Sequence, residues 1–180
     1  MLTLVVGGAA SGKSAYAEAL LLRSVAARRI YLAAMEPFGA EAEARIKRHR
    51  AMRSEKGFET LECYVNLEYY VNIECAPVPS GASVLLEDLG NLCANELFSP
   101  QGAGKGAADS ILRGMNALYR RCRDLIIVSN EVFTGGTDYG PETVRYLSVL
   151  SYVNRKIAAC ADAVCEICGG AAMYYKGAEI

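Results

Sequence analysis

Residues 2–14 read LTLVVGGAASGKS, and the fold is decided there. The compact run Leu2–Val6 suits a buried strand, and residues 7–14 match G-x-x-x-x-G-K-[ST] directly behind it. Glycine lets the backbone wrap phosphate oxygens closely, because no Cβ blocks conformations with φ > 0. The loop's amide groups then face the anion, and the positive end of the following helix adds to the attraction. Lys13 is expected to reach the outer phosphates and the Ser14 hydroxyl to bind Mg2+.

Working outward, Ser14–Arg28 has no Gly or Pro and is rich in Ala and Leu, which predicts a helix. Arg29–Ala34, Glu59–Cys63, Ser83–Glu87 and Asp124–Ser129 read as strands, and 163–168 with 172–176 as a closing pair. Helices are expected over 40–53, 91–98, 107–122 and 142–161. Residues 64–75 fit either state, and 99–109 (SPQGAGKGAAD) has the composition of a loop. Alternating β and α units with apolar strands predict one α/β domain over 1–180: three layers, a mostly parallel sheet with helices on both faces. Ligands bind such folds beyond the carboxyl ends of the strands, here Gly7–Ser14, Ala33–Met35, Glu87–Asp88 and Ser129–Glu131.

Composition narrows the function. The 180 residues carry a net charge of −1, which gives no global attraction to nucleic acid or an anionic membrane. No apolar run is long enough to span a bilayer, and the start lacks the basic, then apolar, pattern of a signal peptide. Seven irregularly spaced cysteines fit free thiols in a reducing cytoplasm, and the single C-x-x-C at Cys165 and Cys168 lacks the second pair a zinc site uses.

Two further features carry chemistry. Glu87 and Asp88 follow an apolar strand, where a glycine-loop enzyme keeps the acid for its metal. Either can serve; Glu87 is the preferred ligand, and Asp88 equally suits a helix N-terminus. Residues 45–53 read RIKRHRAMR, and on a helix Arg45, His49 and Arg53 share one face. Such crowded cations call for a balancing anion, and a triphosphate would supply it. Neighbouring cations keep the His49 imidazole neutral, so it can attack a nucleotide α-phosphate; the plainer alternative is a solvated basic helix face.

These segments resemble the bifunctional adenosylcobinamide kinase/adenosylcobinamide-phosphate guanylyltransferases. GGAASGKS is similar to the family's GGARSGKS, YLAA at 31–34 to Y-I-A-T, and RIKRHR at 45–50 to R-I-x-x-H-R. FETLE at 58–62 is similar to W-R-T-x-E, and VLLEDLGNLCANELF at 84–98 to LL-[DE]-C-L-T-x-x-x-x-N-L. IIVSNEV at 126–132 and VNRKIAACADAV at 153–164 also follow the family, in order and with matching spacing along nearly the whole chain. The resemblance implies a RecA-like P-loop NTPase fold, a homotrimer, and two reactions in cobalamin biosynthesis. One phosphorylates the alcohol of adenosylcobinamide from ATP or GTP, and the other moves GMP from GTP to that phosphate through a GMP–histidine.

Carried onto this chain, the resemblance implies His49 and Lys13 as catalytic residues. It implies a nucleotide site of Gly7, Gly8, Ala9, Ala10, Ser11, Gly12, Lys13 and Ser14, with Ala33, Ala34 and Met35. Arg50, Ala51, Met52, Arg53, Glu62 and Glu87 complete it, Ser14 and Glu87 holding the metal. Ala10, Phe58, Asp88 and Gly90 replace the family's Arg, Trp, Cys and Thr, and 133–152 departs from the pattern G-x-G-[IV]-V-P and the helix behind it. A monofunctional small-molecule kinase, or a regulatory NTPase with 99–106 and 133–140 as switches, would use the same loop without a histidine adduct. RNA binding by 45–53 lacks interleaved aromatics.

Overall fold

The computed structural model describes residues 1–37, 55–72, 77–136 and 138–178. Seven strands form one sheet: β1 (Leu2–Gly7), β2 (Arg29–Ala33), β3 (Glu59–Glu62), β4 (Ser83–Glu87), β5 (Asp124–Asn130), β6 (Ala163–Cys168) and β7 (Ala171–Lys176). Their order is β3-β2-β4-β5-β1-β6-β7, and every pair is parallel except β6–β7. The described helices are α1 (Lys13–Arg23), α2 (Tyr69–Asn72), α3 (Leu89–Phe98), α4 (Ala107–Arg121) and α5 (Pro141–Cys160), with a 3-10 turn at Gly104–Gly106.

Side chains alternate across a strand, so the sheet sorts its apolar residues to two faces. On one face Val5, Leu85, Ile126 and Val128 pack with Ala17, Leu20 and Leu21 of α1. On the other Leu4, Leu32, Leu86 and Ile127 pack with Leu92 of α3, Ile111 and Leu118 of α4, and Leu150, Val153 and Ile157 of α5. This is the three-layer arrangement expected from the alternating pattern, and the parallel register brings all the βα turns to one edge.

One local reading changes and one ambiguity resolves. The first helix ends at Arg23 rather than Arg28, because Ser24 is drawn out of it. Its backbone is extended, and its hydroxyl donates to Asp124 at 2.6 Å and pairs with Ser83 Oγ at 2.7 Å. The ambiguous 64–75 stretch contains only the single turn α2 among its described residues. The loop read over 99–109 ends where the expected helix begins, at Ala107. There the buried Glu96 carboxylate fastens the loop, accepting from Ala103 N–H at 2.9 Å, Ser110 Oγ at 3.1 Å and Asn66 N–H at 2.8 Å. The expected helix over 40–53 lies outside the described residues, as does Cys75.

Asp124 ties the amino-terminal ends of the strands together. Burial alone would raise its carboxyl, but bonds from Ser24 and Ser83 and the Met1 ammonium at 3.5 Å outweigh that and hold it below the ordinary range. A depressed acid stabilises the fold above its unfolded pKa and loses that contribution as the pH falls through the lower folded value. Asp124→Asn is therefore expected to cost about 1–3 kcal/mol at neutral pH, the scale of hydrogen bonds to a charged group. Urea unfolding followed against pH should show that difference shrinking below about pH 4.

Candidate active site at the carboxyl edge of the sheet

The glycine loop runs from the end of β1 to the start of α1. Gly7 admits no side chain: a Cβ there would stand 2.5 Å from Ser11 Oγ and 2.8 Å from the Ile167 carbonyl. Gly12 at φ 94 and Ala10 at φ 55 make the left-handed turns that curl the loop. No side chain caps α1, so its first N–H groups are left to a ligand or to water. Ser11 Oγ is likewise buried without a hydrogen-bond partner. Lys13 is only 8% exposed, and its ammonium donates across the loop to the Gly8 carbonyl at 3.0 Å. Gly8 and Ala9 complete the turn from the strand.

Sheet register brings the other expected residues to the same edge. Ala33 pairs with both Glu62 and Glu87, and Gly7 pairs with Asn130. Ala34 is fully buried, donating to the Glu87 carbonyl at 2.9 Å and accepting from Asn95 Nδ2 at 2.9 Å, while Met35 is 39% exposed beyond it. Glu62 accepts through its carbonyl from Tyr70 Oη. His49, Arg50, Ala51, Met52 and Arg53 lie outside the described residues. The chain leaves β2 at this edge, and on its return the Lys56 ammonium pairs with Glu18 of α1 at 2.5 Å.

The two acids after β4 have different partners. The peptide bond between them is cis. Asp88 caps α3, its Oδ1 accepting from Asn91 N–H at 2.6 Å. Glu87 points at the loop instead, one carboxylate oxygen accepting from Ser14 Oγ and the other from Tyr31 Oη at 2.8 Å. Burial pushes the Glu87 carboxyl above the ordinary range; the bonds from Ser14 and Tyr31 pull it down, and Asp88 and Glu18 push it up. A buried carboxylate beside a serine hydroxyl offers the hard oxygen donors that a magnesium ion takes, so the donor set fits that metal.

Tyr31 was missed in the sequence. It sits mid-strand, 7% exposed, with its ring 6.4 Å from Phe58, and reads there as ordinary core. Only pairing with β4 shows that its hydroxyl ends on Glu87. The C-x-x-C cysteines are three apart on β6, with Cys165 buried and Cys168 exposed on opposite faces, so they do not form a two-thiol clamp.

Residues 3–174 match the family described as CobU, cobinamide kinase / cobinamide phosphate guanyltransferase. The chain belongs to this family. The CobU family's kinase and guanylyltransferase activities in cobalamin biosynthesis therefore frame its chemistry. The chain is 30% identical to the bifunctional adenosylcobalamin biosynthesis protein CobU of Salmonella typhimurium, covering 98% of this chain and 100% of that one. It is 31% identical to the bifunctional adenosylcobalamin biosynthesis protein CobP of Pseudomonas aeruginosa, covering 98% of each. In fold it is similar to the flagellar accessory protein FlaH of Methanocaldococcus jannaschii, with a TM-score of 0.51 and 11% identity over 98% of this chain and 78% of that one. Among the described residues no helix is long and apolar enough to cross a membrane.

Proposed function

We propose that the chain phosphorylates adenosylcobinamide with ATP or GTP, then transfers GMP from GTP to adenosylcobinamide phosphate through a GMP–His49 intermediate. The observation that carries this reading is the convergence of Ser14 and Glu87 beside the glycine loop that holds Lys13, at one edge of the sheet. In the first reaction the acceptor alcohol oxygen bonds to the γ-phosphorus and gives up its proton to solvent, the bond from that phosphorus to the β-phosphate oxygen breaks, and the nucleoside diphosphate departs. In the second, a neutral His49 nitrogen bonds to the α-phosphorus of GTP and pyrophosphate leaves. A phosphate oxygen of the acceptor then bonds to that phosphorus, releasing GMP from the histidine and giving adenosylcobinamide-GDP.

Gly7–Ser14 cradle the phosphates, and Lys13 offsets charge that builds on the departing groups. Ser14 and Glu87 would hold Mg2+, which when bound neutralises phosphate charge. Ala33, Ala34, Met35, Glu62 and Arg50–Arg53 complete the nucleotide site. Support for His49 comes from the R-I-x-x-H pattern and from the described flanks of its segment, one leaving the β2 edge and the other pinned to α1. The reading as a single-domain cytoplasmic homotrimer comes with the same family likeness. The test is direct: incubate the protein with Mg2+, GTP and adenosylcobinamide, and identify products by mass spectrometry. Adenosylcobinamide phosphate followed by adenosylcobinamide-GDP is expected, and an unchanged corrinoid contradicts the reading.

Tyr31 takes a positioning role in this scheme. Tyr31→Phe keeps the ring against Phe58 and removes one of two donors to the Glu87 carboxylate. The Mg2+ concentration for half-maximal activity is expected to rise roughly tenfold, as when an outer partner of a metal ligand is lost. Unchanged Mg2+ dependence would make Tyr31 a core residue only.

A further inference from the structure

Three side chains from three elements meet beside the glycine loop, outside the set that the family likeness assigns. Asp88 follows β4, Asn130 ends β5, and Tyr146 lies near the start of α5. Asn130 is in register with Gly7, and Glu131 N–H donates to the Gly7 carbonyl at 2.9 Å, so the group flanks the loop's first residue. Asn130 Nδ2 donates to Asp88 Oδ2 at 3.1 Å.

Gly90 makes the arrangement possible. A Cβ on Gly90 would stand 2.8 Å from Asn130 Nδ2, 2.9 Å from Tyr146 Oη and 3.2 Å from Asp88 Oδ1. The first two approaches are closer than side-chain carbons tolerate, so the threonine of the family pattern does not fit here without displacing them. Gly90 and Tyr146 are thus one joint departure from that pattern, though they lie far apart in sequence. Tyr146 Oη has no hydrogen-bond partner among the described residues. Burial, with Cys93 and Asp88 nearby, pushes this phenol up to about 12, so it stays protonated and able to donate. An unpaired phenol and a carboxylate therefore share the edge of the sheet where ligands bind.

We propose that Asp88, Asn130 and Tyr146, with room made by Gly90, hold the neutral alcohol end of the kinase acceptor. The alcohol O–H donates to the Asp88 carboxylate, which Asn130 orients, and an acceptor oxygen next to the alcohol receives the Tyr146 O–H. A carboxylate one residue from Glu87 disfavours an anion, so the subsite selects the unphosphorylated acceptor over its phosphate. Asp88 and Tyr146 touch the acceptor, Asn130 is a positioning residue acting through Asp88, and the assignment rests on the kinase reading above.

The test is steady-state phosphorylation of adenosylcobinamide at saturating nucleotide, with GMP-adduct formation from GTP alone measured in parallel. Asp88→Asn removes the charge but keeps a good helix cap, and Tyr146→Phe keeps the ring. The KM for adenosylcobinamide is expected to rise about tenfold or more in Asp88→Asn and several-fold in Tyr146→Phe. The KM for nucleotide and the adduct should stay within about twofold of wild type. Gly90→Ala should also raise the KM for the alcohol, with a less than additive effect on top of Tyr146→Phe, because both disturb one spot. A wild-type KM for the alcohol in both Asp88→Asn and Tyr146→Phe overturns the subsite, as does an equal rise in KM for nucleotide. A wild-type protein that forms the adduct but phosphorylates no adenosylcobinamide overturns the kinase reading itself.

Discussion

His49→Ala is expected to abolish guanylyl transfer while leaving phosphorylation of adenosylcobinamide within a few-fold of wild type. The two reactions share the glycine loop, but only the second passes through a covalent bond to nitrogen. Removing a nucleophile from an enzyme that uses one typically costs at least about a thousandfold, so the loss should be close to complete. The check is a pair of assays on one preparation. The first follows phosphate transfer to adenosylcobinamide from ATP, and the second follows GMP transfer to supplied adenosylcobinamide phosphate. An equal fall in both activities would mean that His49 holds the nucleotide rather than attacking it.

The second large effect is at Glu87. Glu87→Gln keeps the shape and removes the charge that faces Ser14, so both reactions should fall by about a hundred- to a thousandfold. The pH dependence follows from burial. Because the folded pKa of Glu87 is raised, its proton competes with a cation, and apparent Mg2+ affinity of the wild type should increase as the pH rises through that value. The same raised pKa has the opposite consequence without ligand. A raised acid stabilises the fold at low pH and loses that contribution as the pH rises through the folded value. Stability of the unliganded wild type relative to Glu87→Gln should therefore improve as the solution is acidified. Thermal melts with and without Mg2+ and GTP, run across pH, measure both trends. The ligand-induced increase in Tm should be lost in Glu87→Gln.

Much of this was readable before any coordinates. The glycine loop is a local pattern whose chemistry depends on its own backbone, so residues 7–14 sufficed to place it. Strands β1, β2, β4 and β5 are short apolar runs with clear ends, and reading them as parallel put Gly7, Ala33 and Glu87 on one edge before their register was known.

What stayed hidden depends on partners distant in sequence. Nothing in residues 24–28 forbids a helix; it stops because Ser24 is bound by Ser83 and Asp124. Tyr31 carries no mark of its own, since its role depends on a carboxylate 56 positions away. The choice between Glu87 and Asp88 also stood open in the sequence, and the fold gives each acid a different task through Ser14 and Asn91. Gly90 and Tyr146 are the extreme case: one replaces the family's Thr, the other lies in the segment 133–152 that departs from the pattern, and only their contact makes them one feature.

The account depends most on capture of GMP by His49, and one measurement addresses it directly. Wild-type protein is incubated with Mg2+ and GTP labelled at the α-phosphate, denatured, digested and analysed by mass spectrometry. The account predicts one GMP per active site on the peptide carrying His49, lost in acid and stable in base as a phosphoramidate is. No retained label at saturating GTP, or label of the same chemistry that persists in His49→Ala, would contradict it.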